Sequence, residues 1–214
     1  MRRIVLIVSL VLASLMFTCP VGAQWALGSL EDLDALFRQV RALNIERGGY
    51  VLGAALTPEQ MAVARAHTLT PASSEIRKFR DGNLHVVAER ENNRVMVIYE
   101  AFADQTRDQV RDRVGELFMA FDEPTVTAHD QLVYWAWGEK GKFDAHQFNL
   151  AKEKKTPLKV LATVKFTSEV KIRDKEAHGS APLKAEDKEK EGEPKTGQAY
   201  YVISSEPILM YYAH

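Results

Sequence analysis

The chain has 214 residues, 46% of them apolar, and sets 28 Lys and Arg against 29 Asp and Glu. That apolar share excludes wholesale disorder, and the near-neutral balance excludes a general electrostatic pull toward nucleic acid. With Cys19 as the single cysteine, an internal disulfide framework is excluded as well.

Met1-Arg2-Arg3 places positive charge ahead of an apolar run from Ile4 to Phe17, and Val21-Gly22-Ala23 supplies small residues before Gln24. This layout predicts a secretory signal over residues 1–23, cleaved near Ala23-Gln24, with export to the periplasm or beyond. The run has about 14 residues where a membrane-crossing helix needs roughly 20, so the mature form is expected not to span a membrane. Lipid attachment at Cys19 is the competing fate. It is disfavoured because Met16-Phe17-Thr18 lacks the small residue such processing prefers and Pro20 follows. Cleavage removes Cys19, Arg2 and Arg3 and leaves residues 24–214 as one domain of ordinary size.

Leu30, Leu33, Leu36, Phe37, Val40 and Leu43 share one helical face behind Ser29, which predicts a helix ending near Glu46 before Gly48-Gly49. Tyr50–Leu56 is apolar and open between a short strand and a buried connection. Thr57-Pro58-Glu59-Gln60 carries a capping-box pattern that predicts a second helix from Pro58 to His67. The period then changes to two. Ile76–Arg80, Leu84–Arg90 and Arg94–Phe102, separated by turn-forming Asp81-Gly82 and Glu91-Asn92-Asn93, read as an antiparallel meander.

Val110, Val114, Leu117, Phe118 and Phe121 line one side of a predicted helix from Thr106 to Phe121, which Pro124 terminates. In the strand Gln131–Trp137, Leu132, Tyr134 and Ala136 face one way and Val133, Trp135 and Trp137 the other. A short helix is expected over Asp144–Lys154. From Leu158 to Ile172 apolar positions alternate with Lys159, Thr163, Lys165, Thr167, Glu169 and Lys171, the pattern of a strand with one wet face. Thirteen of the 25 residues from Arg173 to Gly197 are charged, so residues 173–197 are expected to be a mobile charged insertion. Tyr200–Ile203 and Ile208–Tyr212 resume strand composition. Together these elements predict an α+β fold: a curved, mainly antiparallel sheet with helices packed on one face, preceded by two N-terminal helices.

Four constellations bear on chemistry. The histidines lack paired metal-ligand spacing and have no cysteine in the mature chain to join them, so neither a metal site nor a cofactor is implied. His129, Asp130, Asp144 and His146 are the residues that would carry an envelope hydrolase, alone or around a metal. The stretch from Gly138 to Ile172 holds eight lysines against four acids, which suits anionic cell-surface polymer or simply a wet strand face. Tyr134, Trp135 and Trp137, with Tyr200, Tyr201, Tyr211 and Tyr212, are the candidate recognition surface for a sugar, an apolar ligand or a protein. With no nucleophile elbow or metalloprotease motif present, the sequence favours an exported, non-catalytic binding protein that recognises a partner or envelope ligand, and not nucleic acid, through a sheet face or groove.

Overall fold

A computed structural model describes residues 30–70, 73–172 and 196–213; the segment read as a signal and most of the charged insertion lie outside the described residues. Within them the fold is mixed α and β, five helices with a large antiparallel sheet. Helix α1 spans Leu30–Ala42 and ends earlier than the sequence suggests. Asn44 takes the left-handed conformation (φ 52°) that closes the helix, with its N–H donating to the Arg41 carbonyl. Gly48 and Gly49 are thereby released to make a two-residue turn, both at positive φ, between β1 (Glu46–Arg47) and β2 (Tyr50–Val51). Helix α2 (Pro58–Ala66) begins with a capping box in which Thr57 and Gln60 satisfy each other's backbone amides.

The main sheet comprises β3 (Ile76–Asp81), β4 (Leu84–Glu89), β5 (Val95–Thr106), β6 (Val126–Ala128), β7 (Leu132–Gly138), β8 (Gly141–Lys142), β9 (Ala162–Ser168) and β10 (Thr196–Ser204). Its order is β3-β4-β5-β10-β9-β7-β6, with β8 also paired to β7. Helix α3 (Arg107–Phe121) follows β5, helix α4 (Ala145–Glu153) follows β8, and helix α5 (Glu206–Tyr211) closes the described chain. The expectation of a strand over Ile208–Tyr212 is corrected here. Pro207 in the first turn pre-sets a helical φ and removes a ladder donor, so the segment turns as a helix with Ile208 buried.

Register fixes which side chains share a face. Phe79, Val86, Ile98, Ile203, Val164 and Trp135 are direct cross-strand partners in one line across the sheet, and each is at most 1% exposed. Helix α3 covers part of this inner face: Phe118 meets Trp135 edge-on at 5.9 Å, and Phe121 meets Trp137 at 5.7 Å. The β1–β2 hairpin joins the same side, with Tyr50 against Phe79 at 5.8 Å. The core therefore lies between the inner face and these elements, and burial of each large side chain there contributes about 1.5–3 kcal/mol.

Candidate functional site

Strict alternation along the strands sends the next residue of each line to the opposite face. The line beside the core line reads Arg80, His85, Tyr99, Val202, Lys165, Tyr134 and Val126, again as direct partners across seven strands. Every one of these is at least partly exposed. On one side of it run Leu132, Thr167, Tyr200 and Ala101; on the other run Ala136, Thr163, Ser204, Val97, Val87 and Lys78. The three lines hold Lys78, Arg80, Lys165 and His85 and no acid.

The side chains of this outer face are ordered among themselves. Tyr99 and Tyr200, diagonal neighbours on adjacent strands, hold their rings 6.2 Å apart and within 17° of parallel. His85 meets Tyr99 edge-on at 5.5 Å. Burial pushes the Tyr99 phenol up to about 12, with Tyr200 adding to the effect. The His85 imidazole is pushed down by burial and then by Arg80. Lys165 is pushed down by burial alone, and no carboxylate pairs with it among the described residues. A half-buried ammonium with no counter-charge favours an anion that reaches it.

The inner face offers a second feature, a narrow notch lined by Arg47, Phe102, Arg113, Glu116, Leu117, Phe166 and Tyr201. Its free volume of about 10 Å³ is the space of one water. The guanidiniums at its mouth are already engaged. Arg47 donates to Glu100 at 2.9 Å and lies 5.2 Å over the Tyr201 ring, while Arg113 donates to Gln105 at 2.7 Å and stacks 3.7 Å from the Phe102 ring centre. Burial pushes the Tyr201 phenol up, and Arg47 and Glu100 act on it in opposite directions. Charge is satisfied locally here, which marks a structural network more than a receptor for a sizeable ligand.

The residues singled out in the sequence fall in three places. Trp135 is fully buried and Trp137 is 9% exposed, both on the inner face beneath α3, and the Trp135 indole N–H donates to the Asp122 carbonyl at 2.9 Å. Tyr134, just before Trp135 in sequence, lies in the middle line of the outer face. His129 and Asp130 are the central residues of the turn in the three-residue β6–β7 connection, both at φ 54°, with the Gln131 N–H donating to the Ala128 carbonyl at 3.2 Å. Asp144 is the N-cap of α4, its carboxylate accepting from the Gln147 N–H at 2.6 Å, and His146 is exposed on that helix. His129, Asp130, Asp144 and His146 do not converge, and among the described residues no three His, Cys, Asp or Glu side chains group as metal ligands.

Sequence reasoning missed Tyr99, Lys165 and His85 as companions of Tyr134. Each carries the alternation signal of an outward position, but their alignment depends on strand order, which places β10 between β5 and β9. No family model matches the chain, and neither a curated protein nor a solved structure matches it.

Proposed function

We propose that this chain is an exported, non-catalytic binding protein that holds an envelope ligand or partner on the outer face of its sheet. Removal of residues 1–23 near Ala23-Gln24 delivers it to the periplasm or the cell exterior, in keeping with the signal layout. In this reading the helices collect on the inner face of a curved sheet, and the outer face remains as the presenting surface. The observation that supports it is the middle of the outer face, three lines of residues without an acid, where a near-parallel pair of tyrosines sits one strand from the Lys165 ammonium, which has no carboxylate partner among the described residues; Glu169 acts on Tyr200 from beyond these lines. Among the described residues no helix is long and apolar enough to cross a membrane.

Co-sedimentation with envelopes of the producing cell tests the reading. The mature protein is expected to sediment with them, and Tyr99→Ser combined with Tyr200→Ser is expected to leave most of it in the supernatant while far-ultraviolet circular dichroism stays unchanged. Equal sedimentation of the two proteins overturns the reading. Export is tested separately by the mass of protein recovered outside the cytoplasm, which should begin at Gln24; a mass retaining Arg2 and Arg3 overturns that half.

A further inference from the structure

We propose that the ligand of the outer face is an extended anionic glycan, a polysaccharide bearing carboxylates, lying across the strands along the line from Arg80 to Tyr134; this rests on the binding role proposed above. Its length is set by the sheet. Arg80, His85, Tyr99, Val202, Lys165 and Tyr134 are successive partners on six neighbouring strands, which spans about 24 Å at 4.8 Å per strand. A track of that length suits a chain molecule better than a compact metabolite, which prefers a concave pocket.

The chemistry along the track selects among chain molecules. Tyr99 and Tyr200, within 17° of parallel and 6.2 Å between ring centres, give two similarly oriented aromatic faces against which the apolar faces of sugar rings can pack. Thr163 and Thr167 flank Lys165 two residues away on its own strand, so hydroxyl groups stand either side of the ammonium. Lys165 supplies the charge for a carboxylate, and Arg80 supplies another about 19 Å away, four strands across.

That spacing is sparse for a nucleic-acid backbone, which carries a charge every few ångströms and is tracked by a continuous basic groove. A peptide adding to a sheet uses an unpaired edge, whereas this line crosses strands already paired to each other.

Calorimetric titration with polygalacturonate, dextran and oligodeoxythymidylate tests the assignment. Polygalacturonate is expected to bind and dextran not. Lys165→Gln, and separately Tyr99→Leu with Tyr200→Leu, should each weaken polygalacturonate about tenfold, while Lys165→Arg retains most of the affinity. Lys152→Gln on the exposed side of α4 removes the same charge elsewhere and should leave binding unchanged. Equal losses from Lys165→Gln and Lys152→Gln overturn the proposal, since binding then follows net charge alone. Tighter binding of oligodeoxythymidylate overturns it in favour of nucleic acid. If polygalacturonate fails to bind while envelope sedimentation still requires Tyr99 and Tyr200, the glycan assignment falls and the binding role stands; if sedimentation is also indifferent to both tyrosines, both fall.

Discussion

Removing the Arg47 guanidinium would leave the Glu100 carboxylate, only 8% exposed, facing Tyr201 with no counter-charge. Arg47 is itself about a third exposed, so the cost falls between that of a surface pair and a fully buried one. Arg47→Ala is expected to lower stability by about 2 kcal/mol in urea titration, and adding Glu100→Leu to recover much of it. A second residue-scale effect concerns pH. His85 has its pKa pushed below the ordinary value of 6.5 by burial and Arg80, so the unfolded chain takes up a proton more readily than the folded one. The stability His85 permits is complete above pH 6.5 and falls as pH drops toward its folded value. A series of urea midpoints from pH 8 to pH 5 should decline less steeply for His85→Gln than for the wild type; identical slopes would remove His85 from the account.

Among the elements, the starts of α2, α3 and α4 were readable because a cap is a local motif, whereas α5 starts without a side-chain cap and reads as a strand in sequence. Thr57-x-x-Gln60, Thr106-x-x-Gln109 and Asp144-x-x-Gln147 each form the reciprocal box their spacing implies. Thr106→Ala should therefore lower the stability by about 1 kcal/mol in urea titration. Asp144→Ala should do likewise without altering ligand binding, which separates its capping role from any catalytic one. The helix end at Ala42 was not readable, because Asn44 and Gly48-Gly49 are all competent to close a helix and only packing chooses between them. Gly53 shows the same dependence. At φ +80°, a Cβ there would lie 2.8 Å from the Arg41 amide nitrogen and 2.9 Å from the Phe37 carbonyl oxygen. Gly53→Ala should destabilise by about 2 kcal/mol or more, by strain and by displacing α1, read as a lowered melting temperature.

For the whole molecule, period-two alternation identified most strands and their two faces, and the helical faces announced the core. What alternation could not supply was adjacency. Trp135 and Trp137 look in sequence like the obvious contact residues, yet their side of β7 is the side α3 covers, while the plainer Tyr134 reaches the outer surface. Lys165 and Tyr99 are 66 positions apart in sequence and become near neighbours only through β10. That placement of β10 has a consequence in time. Among the described residues β10 (196–204) is the last strand in chain order and the only one hydrogen-bonded to both β5 and β9, so the two halves of the sheet remain unjoined until it is made. During synthesis β3, β4 and β5 can pair with one another, and β6, β7 and β9 likewise, but the two groups close into one sheet only when β10 is available to lie between them.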